Sequence, residues 1–381
     1  MKTPNRLLAR LDAPHPLAIT MWDFSWIERR WPGAGYEDWN HALDELQERG
    51  YDAVRIDAFP HLLSVDPDAE WQMEVLWGQM DWGSPVPIKL TRIADQLVEF
   101  MGLCKARKLK VALSSWFRQD KGDIRRRLHS PGNMAEAWIR TLDILAQADL
   151  LDTILFVDLC NEFPGGFWAP YFINQPPETS WGAWDNPAAE RYMQTSVELT
   201  RQAYPDLPLC YSFNSKGRKP DEHPLGHMDL LEPHIWMVQA NDNEFYRTIG
   251  SEGLDTRFSD IGWRRLQEKG RATYLERRDY WIEQLKASID LEAAGGVAHN
   301  LPLVTTECWG IVDYRDYPDL PWDYVLELCE IGTEHAAATG RWCALATSNF
   351  CGPQFHGMWR DVAWHRRLTD IIHSARLPVL R

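Results

Sequence analysis

The stretch "DTILFVDLCNEFPGG" (152–166) runs apolar for several residues, then stops on Asn161-Glu162 before a loop-forming Phe-Pro-Gly-Gly. A short apolar run closed by Pro and Gly reads as a buried strand. Its tip is the informative part, because a charge at the end of a buried element is costly unless it is paired or used.

Working outward, the same pattern recurs along the chain. Short β-rich runs stand at "PLAITMWDF" (16–24), "YDAVRIDAF" (51–59), "LKVALSSWF" (109–117), "DTILFVDLC" (152–160) and "LPLCYSFNS" (207–215). Three more follow at "MDLLEPHIWM" (228–237), "LPLVTTECW" (301–309) and "WCALATSNF" (342–350). Between most of them lie stretches with apolar residues at i, i+3, i+4 and i+7, such as "NMAEAWIRTLDILAQA" (133–148). The segment "KGRKPDEHPLGH" (216–227) is too rich in Pro and Gly to predict a helix. Strands alternating with helices predict parallel βαβ units, and eight of them close into a (β/α)8 TIM barrel. An open doubly wound sheet is the alternative, but no Gly-rich dinucleotide turn follows the first strand. With no linker or repeat in view, the expectation is a single catalytic domain over residues 1–381, its barrel core about 16–375, with long loops at 59–88, 163–185 and 239–262.

In such a barrel, chemistry gathers at the C-terminal ends of the strands. Alternation along each strand sends one parity inward. This predicts Arg55 and Asp57 inward from the second strand, and Asp158 and Cys160 from the fourth with Glu162 at its tip. The sixth strand gives Glu232, His234 and Trp236, and the seventh gives Thr305 and Glu307. That is a surplus of acids at a partly desolvated mouth.

Composition narrows the class. A net charge of −15 argues against nucleic acid, and Arg125-Arg126-Arg127 reads as a solvated helix face. No apolar run approaches the ~18 residues of a membrane span. The N-terminal "MKTPNRLLARLDAPHPLAIT" makes a poor signal peptide. Seven scattered cysteines lack zinc-ligand spacing and fit a reducing compartment, so a cytoplasmic address is expected, with no metal or cofactor. Twenty tryptophans, many in polar or Pro/Gly-rich stretches, suit a concave surface on which sugar rings stack.

Two glutamates at the tips of strands four and seven lie on opposite sides of a barrel mouth. Retaining glycoside hydrolysis needs that layout, with the carboxyls about 5–5.5 Å apart. The motifs "DLCNE", "LVTTE", "AVRID" and "EPHIW", in this order on these strands, resemble the clan A (β/α)8 retaining glycoside hydrolases that include the cellulase-like family 5 enzymes. The resemblance implies Glu162 as general acid/base and Glu307 as nucleophile. It further implies Asn161 on the hydroxyl beside the anomeric carbon, Arg55 orienting Glu307, and His234 lining the subsite of the cleaved sugar.

The chain departs from that pattern at Trp236, where a tyrosine is usual, and at Trp116, where a histidine is usual. Strand eight offers Asn349 and Phe350, with Trp359 beyond, instead of an obvious aromatic platform. Trp22 and Asp23 on the first strand and Trp309 after Glu307 complete the expected substrate contacts. The expected activity is hydrolysis of a β-glycosidic bond in short oligosaccharides or glycosides, in a pocket rather than an open cleft. The alternatives are a barrel that binds carbohydrate without cleaving it, a transglycosylase with the same residues, and a metal-assisted sugar isomerase or lyase.

Overall fold

Eight parallel strands form where the sequence places them. They are β1 (Leu17–Asp23), β2 (Ala53–Asp57), β3 (Lys110–Ser114), β4 (Ile154–Asp158), β5 in two segments (Leu209–Cys210 and Ser212–Asn214), β6 (Glu232–Trp236), β7 (Leu303–Thr305) and β8 (Trp342–Leu345). The computed structural model describes residues 5–76, 81–172, 184, 186–215 and 225–381.

The strands pair in chain order. Ile19 sits opposite Ala53, Ala53 opposite Lys110, Val111 opposite Ile154 and Val157 opposite Leu209. Ser212 then faces Glu232, Leu231 bridges to Leu303, Leu303 faces Trp342, and Leu17 faces Ala344 to close the ring. This is a (β/α)8 barrel. Closure leaves the ring without a free edge strand among the described residues.

The helical layer follows from capping and periodicity. Asp38 caps Trp39–Glu48 through the amides of Asn40 and His41. Ser130 and Asn186 cap Pro131–Gln147 and Pro187–Ala203, each with proline in the first turn, where its missing N–H costs nothing. Helices Ile93–Ala106, Arg278–His299, Asp323–Thr339 and Val362–Ser374 complete the ring. One continuous apolar core runs from Leu7 to Ile372. Among the described residues, no helix is long and apolar enough to cross a membrane.

Two expectations about connections change. The stretch 239–262 is not an open loop: it carries helices Ala240–Ile249, Leu254–Arg257 and Asp260–Arg265. Phe245, Tyr246 and Ile249 give it a buried face that a loop reading overlooks. The stretch after β2 holds a helical turn, Pro60–Leu63, and an antiparallel pair, Trp71–Met73 with Ile88–Leu90. Most of the long loop at 163–185 and most of "KGRKPDEHPLGH" lie outside the described residues.

Candidate active site

Arg55, on β2, is fully buried and crosses the barrel interior. Its Nη2 donates to Asp158 Oδ2 at 2.5 Å, Ser114 Oγ at 3.0 Å and Asn161 Oδ1 at 2.9 Å. Its Nη1 donates to Thr306 Oγ1 at 3.0 Å and Glu307 Oε1 at 3.2 Å, and Glu232 Oε2 lies 3.5 Å from Nη2. The guanidinium also rests on the Trp116 ring, 4.6 Å from its centroid. Three carboxylates around one arginine compensate for its burial and raise its pKa.

His234, on β6, is the second buried cation. Nδ1 lies 2.9 Å from Glu162 Oε1 and 3.7 Å from Glu307 Oε2, while Nε2 lies 3.6 Å from Glu232 Oε1. Burial opposes its charge, but Glu307, Glu162 and Glu232 outweigh it and raise the imidazole to about 10. Burial would raise Glu232 too, yet Arg55 and His234 hold it below the usual carboxylate range. Glu307 goes the other way. Burial lifts it, helped by Glu162 and opposed by His234 and Arg55, to about 7.

Glu162 and Glu307 each turn one carboxylate oxygen to a point within 4.8 Å of the other, with an imidazole nitrogen of His234 at the same range. Glu162 also accepts from Asn214 Nδ2 at 3.3 Å. Its backbone is left-handed, φ 46°, and its N–H donates to Ser212 Oγ. The backbone, not rotamer choice alone, therefore aims this carboxyl.

Among the described residues, two three-ligand clusters, Glu162–His234–Glu307 and Asp158–Cys210–Glu232, have spacings a metal ion could use. The chemistry of the donors does not favour one. An imidazolium with both nitrogens directed at carboxylates has no lone pair to give, and the Arg55 guanidinium already occupies the second cluster through Asp158 and Glu232.

A cavity of about 300 Å³ opens above the glutamate pair. Of the sequence-predicted contacts, Asp23, Trp116, Asn161, Glu162, Trp236, Glu307 and Asn349 line it. Asp23 does two things: its carboxylate accepts from the Ser25 amide at 2.5 Å, and burial lifts its pKa well above the usual range. Arg55 and His234 lie beneath the lining instead of within it, so His234 supports the glutamates and does not line the subsite.

Trp22 and Trp309 are corrections. Trp22 is fully buried on the outer face of β1, donates to the Cys351 carbonyl and packs edge-on against Tyr36 and Phe100. Trp309 donates to the Ala346 carbonyl and packs against Trp342 and Gly332. Parity also misplaces a threonine. Thr305 Oγ1 bonds the Pro233 carbonyl, whereas Thr306 meets Arg55 and Glu232. Asp57 accepts from the amides of Phe59 and Trp116, a local brace at the strand end.

Sequence reasoning missed the upper wall. Phe24, Trp82, Phe167, Trp168, Asn214, Gln239, Arg257 and Phe258 all line the cavity. Trp82 brings an aromatic ring to the cavity wall, held against Phe355 at 4.8 Å and Phe350 at 6.1 Å between ring centroids. Its place in the tryptophan-rich "LWGQMDWGSP" was the available signal. A second cavity, about 480 Å³, adjoins the first across Trp236 and Gln239 and is lined by polar groups including Asn241, Asp242, Gln284 and Ser288.

Comparison with known proteins agrees with this architecture. A crystal structure of a candidate glycoside hydrolase from Parabacteroides distasonis ATCC 8503 is 49% identical, covers 96% of this chain and 95% of its own, and superposes with a TM-score of 0.92. More distant barrels share the fold. One is the GH5_18 protein from Streptomyces cattleya in complex with GlcNAc (13% identity, 88% of this chain, 70% of that chain, TM-score 0.53). Another is the GH5-4 broad specificity endoglucanase from Clostridium longisporum (11% identity, 97% and 100%, TM-score 0.52). No curated protein matches. The sequence matches the family described as "Cellulase-like: Sugar-binding cellulase-like" over residues 19–373, and with its barrel and its facing glutamates the chain belongs to that cellulase-like family.

Proposed function

We propose that the protein is a retaining β-glycoside hydrolase acting on short oligosaccharides or glycosides, in one catalytic domain. The observation that carries this reading is the approach of Glu162 and Glu307 to within 4.8 Å at the floor of a cavity. That spacing suits direct attack, about 5–5.5 Å, rather than the wider gap that an inverting enzyme needs for water.

Glu307 attacks the anomeric carbon as the glycosidic C–O bond breaks, and Glu162 gives its proton to the leaving oxygen. Water then loses a proton to Glu162 and displaces Glu307, which leaves as the carboxylate. Arg55 favours the charged form of Glu307 through its 3.2 Å bond. It also holds Asn161 Oδ1, which turns the amide N–H group of that side chain toward the sugar. Four carboxyls around two cations leave the floor electronegative, which suits an oxocarbenium-like transition state.

Burial raises Glu307 to about 7, with Glu162 adding to the shift and His234 and Arg55 opposing it. Attack needs Glu307 ionised, so His234 and Arg55 are the groups that favour its reactive form.

A cavity of about 300 Å³ is at the small end for ligand sites, about 300–1,000 Å³. This supports a pocket for a short saccharide, with the adjoining polar cavity beyond Trp236 available to the leaving group. The seven cysteines are all unpaired and buried, which supports the cytoplasmic address. A barrel that only binds sugar is the second reading, favoured by Trp236 in place of a tyrosine. A screen of aryl glycosides with purified protein decides between them: release of the aryl group supports hydrolysis, and binding without release supports the second reading.

A further inference from the structure

The single-turn helix Leu254–Arg257 brings one cation to the cavity wall, beside Phe258. Arg257 is the only cationic residue among the described residues that line it. Its situation differs from that of the other arginines near the site. Arg55 has carboxylates at 2.5, 3.2 and 3.5 Å, and Arg118 forms a buried pair with Glu28 at 2.9 Å. Among the described residues, no carboxylate comes within 4.0 Å of Arg257. Its guanidinium lies over the Tyr246 ring, 4.6 Å from the centroid, and its Nε is buried without a hydrogen-bond partner. The neighbouring acid, Asp313, accepts from the Tyr246 hydroxyl through Oδ1 and feels the Arg257 charge, which opposes the effect of its burial, but it does not come within 4.0 Å of the guanidinium.

A half-buried guanidinium has lost part of its hydration, and a tyrosine face restores only some of that. Its remaining donors form a planar fork that fits a carboxylate, sulfate or phosphate. We propose that Arg257 receives an oxyanion substituent of the saccharide, which makes the natural substrate an acidic sugar: a uronic acid or a sulfate or phosphate ester. The floor makes this selective. Glu162, Glu307, Asp158 and Glu232 outnumber Arg55 and His234, so an anion is repelled from the reacting centre and attracted only at this wall. Arg257 would thereby set which way round the ring lies.

The proposal takes the cavity of the hydrolase reading as its site, but its test does not depend on turnover. Calorimetric titration of the wild-type protein compares glucose, galactose and mannose with their uronic acids, 6-sulfates and 6-phosphates. At least one acidic member is expected to bind about tenfold or more tightly than its neutral parent, as a charge-assisted bond predicts. That preference should vanish in Arg257→Gln, survive in part in Arg257→Lys, and weaken with added salt in the wild type. If no acidic member binds better than its parent, or the preference persists in Arg257→Gln, the assignment is overturned. Should Arg257→Gln not fold, the wild-type salt dependence and Arg257→Lys still decide. An anion preference without turnover of any glycoside would sink the hydrolase reading alone. Equal binding with turnover of neutral glycosides would sink this proposal alone.

Discussion

Arg55 Nη1 donates to Glu307 Oε1 across 3.2 Å from inside the barrel. The same side chain holds Asp158 and Asn161, so one residue links the floor of the site to both glutamate-bearing strands. Arg55→Lys keeps the charge but loses the fork, and is expected to fold while kcat drops about 10²-fold or more, since a misplaced catalytic group costs that much. Arg55→Met leaves the carboxylates unpaired and should lose about 3–5 kcal/mol in urea denaturation.

Removing either glutamate should have different kinetic consequences. Glu307→Gln should abolish turnover of an activated aryl glycoside, and a 2-fluoro glycoside should leave its adduct on the peptide containing Glu307. Glu162→Ala should slow deglycosylation roughly 10²–10⁴-fold and be rescued by azide, which needs no general base. An adduct on any other peptide would relocate the nucleophile.

The pH dependence has a defined sign. Glu307 is raised to about 7 by burial and by Glu162. Attack needs Glu307 as the carboxylate, so kcat/KM should fall about tenfold per pH unit as the pH drops below about 7 and the nucleophile takes up a proton. A profile flat from about 7 down to about 5 would contradict a raised Glu307.

Two tryptophans that look alike in sequence should separate on measurement. Trp22→Ala should cost about 3–5 kcal/mol of stability, because the ring is wholly packed behind β1, and leave KM unchanged in the protein that folds. Trp116→Ala should raise KM and lower kcat, because it faces the cavity and carries Arg55.

Chelation is the last prediction. With the His234 imidazole raised to about 10 and pointed at carboxylates on both sides, EDTA should leave activity unchanged. A loss restored by a divalent ion would mean that the cluster binds metal after all.

The barrel was legible because its signals are local: short β-rich runs, stretches of i, i+3, i+4, i+7 apolar spacing between them, and alternation that put Arg55, Glu232 and His234 inward. The failures have two sources. Alternation holds on β1, where Met21 and Asp23 line the cavity and Trp22 between them faces outward, so Trp22 and Asp23 could not both have been substrate contacts. Past Thr305 the chain leaves its regular ladder and resumes as Cys308–Trp309 beside β6, which sends Thr306 to Arg55 and Trp309 into the helical layer. Trp82 and Arg257 reach the site from connecting segments, whose positions depend on contacts far away in sequence, and no periodic pattern encodes them.

Glu162 occupies a left-handed backbone that glycine or asparagine would adopt with less strain. Thermal robustness and catalytic competence therefore pull in opposite directions at this one codon. Libraries selected only for heat tolerance should drift away from glutamate there, and its retention in such a library would have to come from pressure on turnover.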